Sequence, residues 1–64
     1  MKRTMKDNLM GAAQVLIDNG MSADDAYIVL QAQCYILLDI DIDDYISQED
    51  YNKLEEYEQE LNKL

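Results

Sequence analysis

Histidine, proline, tryptophan and phenylalanine are all missing from this chain. Without histidine, the usual general acid–base group and the commonest metal ligand are gone. Without proline, and with only two glycines, few residues interrupt regular structure, which favours helices. A single cysteine excludes an internal disulfide and fits a reducing compartment. The longest apolar stretch, residues 26–38, contains Gln31 and Gln33 and is too short to span a bilayer. The basic start MKRTMK leads into an apolar patch that Gln14 and Asp18 break, and no small-residue cleavage site follows. The expected setting is soluble and cytoplasmic, with no membrane partner.

What is present is a 64-residue chain with 48% apolar residues, too many for an extended disordered segment and enough for one small domain. Apolar residues Met5, Leu9, Ala12 or Ala13, and Leu16 recur at helical spacing, with Met10 and Ile17 beside them, and predict a helix over 5–19. Gly20 stands where a left-handed cap belongs, and Met21 can pack back on Leu16. Ser22 is a helix-opening cap, with Asp24 and Asp25 at the positive end of the dipole. The helix it opens, 22–38, is apolar nearly all round, so it is expected to be central and covered on several sides. A rival reading makes a strand of 34–42, where Ile36, Leu38, Ile40 and Ile42 alternate. Ser47 and Asp50 form a variant capping box for a third helix over 47–63. The stripe Leu54, Tyr57, Leu61 and Leu64 on that helix has the spacing of a coiled-coil seam, so a helical homodimer is one possible assembly. Glu49 and Lys53 are placed for an ion pair one turn apart. The expected fold is all-α, a single three-helix domain with an acidic C-terminal helix.

Enzyme chemistry finds few parts here. Cys34 lies in the apolar helix with no nearby cation in sequence, Ser22 and Ser47 have capping roles, and no glycine-rich phosphate loop exists. The rhythm of residues 12–31 is that of a helix-turn-helix, but residues 22–38 hold no Lys or Arg, and Asp24 and Asp25 sit at the end that would meet phosphates. Direct nucleic-acid binding is therefore not expected, and neither is catalysis.

The charge is concentrated. Residues 39–60 carry ten carboxylates against Lys53 alone, and the whole chain comes to −9. Such crowding destabilises a compact state through self-repulsion and points to something positive outside the chain. The run DIDIDDYISQED, residues 39–50, resembles the calcium loop of an EF-hand. That resemblance implies calcium or magnesium bound by Asp39, Asp41, Asp43, the Tyr45 carbonyl, Ser47 and Asp50, with Ile46 pinning the loop. Asp44 stands where the family has glycine, and Asp50 where it has glutamate, a shorter reach that favours magnesium or weakens calcium. Alternatively, the same run is an acidic connector with Ile40, Ile42 and Ile46 tucked against the core.

A third use of the charge is a docking surface with no cofactor. Six carboxylates between Ser47 and Glu60 occupy about 21 Å of helix, one per ~3.5 Å, close to the ~3.4 Å phosphate spacing of a DNA strand. In charge and size the chain resembles small acidic inhibitors of the phage or mobile-element type, which occupy a nucleic-acid site on a target. The function expected is non-enzymatic binding to a basic protein surface, including that of a nucleic-acid-binding protein. The expected contacts are Asp41, Asp43, Asp44, Glu49, Glu55, Glu56, Glu58 and Glu60, with Tyr51 and Tyr57 as candidate anchors, Tyr57 being alternatively a core residue.

Overall fold

The computed structural model describes residues 3–63 and is all-α. Three helices pack on one another: α1 (Met5–Asp18), α2 (Ala23–Gln33) and α3 (Gln48–Asn62). A π-helical turn, Cys34–Leu38, continues α2, and a short 3-10 turn, Ile42–Asp44, lies in the connection to α3.

Side-chain caps set the helix starts. Thr4 and Asp7 form a reciprocal capping box on α1, and Ser47 and Asp50 form another on α3. The Ser22 hydroxyl accepts the Asp25 N–H at the start of α2. Helix α1 ends as its glycine demands. Gly20 takes φ 103°, and Met21 N–H donates to the Leu16 carbonyl at 3.1 Å. Leu16 and Met21 then pack on the same core cluster.

The far end of α2 closes differently. Asp39 adopts the left-handed conformation, φ 55°, which Asp tolerates better than most residues. Its N–H donates to the Tyr35 carbonyl and that of Ile40 to the Cys34 carbonyl, each closure one residue wider than at the end of α1. The extra residue breaks the burial rhythm. Leu37 and Leu38 lie three and four positions after buried Cys34, where an unbroken α-helix would turn them inward, yet they are 71% and 54% exposed.

The core has two connected parts. Ala13, Ile17, Ala23, Ala26 and Leu54 form one, at the crossing of the three helices. Three of these are alanines with almost no exposure, so the helix backbones come close together. Leu9, Cys34, Ile42 and Ile46 form the second, beneath the acidic connection, and Met10 and Leu30 pack against both. Ile40, Ile42 and Ile46 thus serve the core, and no strand forms at 34–42 or elsewhere among the described residues.

The structure departs from the sequence expectations in this region. The apolar segment 22–38 is not covered on several sides. It buries Ala23, Ala26 and Cys34, half-buries Tyr27 and Leu30, and leaves Ile28, Val29, Tyr35, Ile36, Leu37 and Leu38 exposed. The reason is that, among the described residues, the long helices packed on it are α1 and α3, and the π turn rotates its last residues outward. The stripe on α3 does not stand clear of the core: Leu54 is buried, and Tyr57 and Leu61 pack against the helix-crossing cluster, while Leu64 lies outside the described residues. Nor do Glu49 and Lys53 pair; the ion pairs among the described residues are Lys6–Asp50 and Lys63–Glu60. No helix among them is long and apolar enough to cross a membrane.

Close approach at the alanines makes a test. Ala26→Leu overfills the helix crossing and is expected to cost about 1–3 kcal/mol in urea unfolding. Ala12→Leu, on the exposed face of α1, is expected to stay within about 0.5 kcal/mol of the parent.

Candidate functional site

The connection 39–47 runs beside the end of α2 and delivers the chain to α3. Ile42 and Ile46, 1% and 5% exposed, pin it to the second core cluster. Just before the first anchor, the Asp41 carboxylate accepts the Asp43 N–H at 3.0 Å and starts the 3-10 turn. The turn places the Asp43 carboxylate against α2, where the Tyr27 hydroxyl donates to it.

A second such pair lies beside the first. Tyr51, in the first turns of α3, donates its hydroxyl to Asp24 at the start of α2 at 3.0 Å. The Tyr27 and Tyr51 rings meet edge to face, with centroids 5.2 Å apart and planes at 90°. Together the two tyrosines and two aspartates border an open cleft of about 480 Å³, completed by Ile46, Ser47 and Gln48. Among the described residues, no Lys or Arg lies within 4.0 Å of Asp24 or Asp43. Aromatic rings and carboxylates are both groups that attract organic cations.

Burial, reinforced by the hydrogen bond to Asp43 and the nearby Asp41 charge, raises the Tyr27 phenol far above its ordinary value. Burial and then Asp24 raise Tyr51, with Glu55 and Glu58 adding to the negative field. Tyr57 repeats the device between α3 and α1: its hydroxyl donates to Asp18 at 2.5 Å, and that bond foremost raises its pKa.

Asp50 holds the floor beside the cleft. It is 4% exposed, accepts the Ser47 N–H at 3.1 Å and the Ser47 hydroxyl at 3.0 Å, and receives Lys6 of α1 at 3.1 Å. The backbone bond from Ser47 is the main cause that lowers its pKa; burial opposes, and Lys6 adds to the lowering.

The docking residues expected from sequence fall into three groups. Asp41, Asp44, Glu49, Glu55, Glu56 and Glu60 are exposed. Asp43 and Tyr51 enter the cleft, whereas Tyr57 and Glu58 are half-buried and tie helices together. Glu58 accepts the Ala23 N–H at 2.8 Å and so supplies a second cap to α2.

For the cation loop, the structure places Asp39 at the left-handed position and Asp44 at the end of the 3-10 turn. Asp43 and Asp50 are engaged by Tyr27 and by Lys6 with Ser47, so a dication held by the whole set would have to displace these partners. No three acidic or cysteine side chains converge on one point among the described residues. Tyr27 and Asp24 were not expected in a site. One turn of helix relates them, but their partners are 16 and 27 residues away in sequence, beyond any local pattern. No family model, curated protein or solved structure matches the chain.

These hydrogen bonds predict a stability that is lost at both ends of the pH scale. The Asp50 carboxyl titrates lower in the folded chain than its unfolded value near 3.8, so its contribution is complete above that value and is lost as pH falls through the folded one. Asp50→Asn is expected to lower the plateau melting temperature by roughly 5–10 °C and to flatten the loss between pH 5 and 2. The three phenols titrate higher in the folded chain than their unfolded value near 10.0. Their contribution is complete below that pH and is lost above it. Tyr27→Phe should therefore retain more of its neutral-pH melting temperature at pH 11 than the parent does. Melting curves across the range read both effects.

Proposed function

We propose that this protein is a small non-enzymatic binding protein that docks on a basic surface of another protein. The observation that carries this reading is the cleft between α2 and the start of α3. It sets two aspartates and two tyrosine rings around a space open to solvent. A lysine or arginine from the partner enters it, lies against a ring face and meets Asp24 or Asp43. Exposed Asp41, Asp44, Glu49, Glu55, Glu56 and Glu60 surround this anchor with the long-range field that speeds encounter. A surface that ordinarily holds nucleic acid has the matching charge, and occupying it would make the protein an inhibitor of the phage or mobile-element type.

The same exposed carboxylates support a second reading. Asp39 and Asp41 are exposed, two residues apart, and no Lys or Arg among the described residues lies within 4.0 Å of either. They suit the first ligands of a calcium or magnesium loop of the EF-hand kind. Its signature is a melting temperature that rises with millimolar calcium or magnesium over EDTA, and that no longer rises in Asp39→Asn with Asp41→Asn.

The docking reading is tested with a ten-residue arginine peptide as probe, by isothermal titration at 50 and 200 mM salt. Asp24→Asn with Asp43→Asn keeps both side chains as hydrogen-bond acceptors and removes their charge. It is expected to weaken binding at least fivefold, against about twofold for Glu56→Gln with Glu60→Gln on α3. Equal losses from the two pairs would show attraction by net charge without an anchoring cleft.

A further inference from the structure

The exposed apolar side of α2 is a feature that the acidic cleft leaves unexplained. Ile28, Ala32, Tyr35 and Ile36 fall at i, i+4, i+7 and i+8 and line one side of a second groove, of about 650 Å³. Tyr35 and Ile36 are more than 70% exposed there, and Ile28 is 53% exposed. Leu37 and Leu38 extend the apolar surface past the groove. A contiguous apolar surface of this kind on a small soluble domain marks a contact with another molecule. Ile40 closes the groove on the side of the acidic connection, and Asp39 and Asp41 stand beside it.

We propose that this groove takes a basic amphipathic helix of the partner, whose apolar stripe seats along α2 while its Lys and Arg side chains reach Asp39 and Asp41. The inference rests on the docking reading for the partner's positive charge and adds the partner's shape. Three observations select this occupant. The apolar line from Ile28 to Ile36 is about 12 Å long at 1.5 Å per residue, two turns of helix, the span of an i, i+3, i+7 stripe. The wall is a helix whose backbone bonds are made within it, so it offers no edge to an extended strand, whose own amides would be left unpaired. The carboxylates beside the groove and the net charge of −9 attract a cationic partner and repel a second copy of this chain. The same connection borders both clefts, with Asp43 in the first and Asp39 and Asp41 in the second.

The experiment uses the full chain and three synthetic 18-residue peptides. One carries leucines on one helical face and lysines on the other. The second has the same composition scrambled out of helical register. The third replaces its leucines with serine. Binding is read by fluorescence anisotropy and peptide helicity by circular dichroism at 100 mM salt. The amphipathic peptide is expected to bind at least tenfold more tightly than either control and to gain helicity on binding. Ile28→Ser with Ile36→Ser, both at exposed positions, is expected to remove that tenfold preference while leaving the serine peptide's affinity unchanged. Asp39→Asn with Asp41→Asn is expected to weaken the amphipathic peptide threefold or more.

If the groove variant binds the amphipathic peptide as the parent does, the groove inference is overturned. The docking reading then still stands or falls on the arginine peptide and the Asp24 and Asp43 variant. Sedimentation equilibrium supplies a further check. A dimer at micromolar concentration that Ile36→Ser dissolves would assign the groove to a second copy and overturn the inference, whereas a monomer in both agrees with it.

Discussion

The carboxylate of Asp50 is the joint on which the rest of the molecule depends. It closes the capping box that starts α3, and it receives Lys6 from α1, so one buried group fixes where two helices meet. Asp50 is the buried member of this pair and Lys6 the half-exposed one, so loss of Lys6 would leave the carboxylate charge buried without its compensation. Fixing the start of α3 also fixes Ile46, one residue before the cap, and with it the connection that carries Asp39, Asp41 and Asp43. The two clefts on either side of that connection are therefore set by a contact that neither contains.

Much of the helical frame was legible from residue types alone. Ser22 and Ser47 open helices because a side-chain oxygen satisfies a free amide, and Gly20 ends one because it accepts a positive φ; all three do so here. The boundaries expected at 5–19 and 47–63 lie within a residue of α1 and α3. The π turn was not legible, since periodicity over 26–38 has the same appearance with or without one extra residue in the last turn. That turn decides which way Leu37 and Leu38 face. The tyrosine–aspartate bonds were equally hidden, because each joins groups brought together only by the tertiary fold. The candidate cleft was thus half visible: Asp43 and Tyr51 stood out in an acidic run, while Tyr27 and Asp24 read as ordinary helix residues.

The acidic residues divide by what they touch. Asp7, Asp18, Asp24, Asp43, Asp50 and Glu58 accept hydrogen bonds from capping amides or from tyrosine hydroxyls. These bonds offset part of the repulsion that so much negative charge imposes on a compact chain. Asp44, Glu49, Glu55 and Glu56 accept no side-chain or capping bond among the described residues and lie in solvent. A chain of this size needs a net charge of only a few units to stay soluble. The excess lies on its outer side, where it takes no part in these bonds.

The wide turn at the end of α2 also bears on how such a surface could arise. An α-helix advances about 100° per residue, so taking one residue out of 34–38 would return the helix to its inner phase and swing Leu37 and Leu38 toward the core. A single-codon insertion or deletion at this point would be enough to face Leu37 and Leu38 outward or inward, with exposed Ile28 and Val29 and the helix crossing at Ala13, Ala23 and Ala26 left as they are.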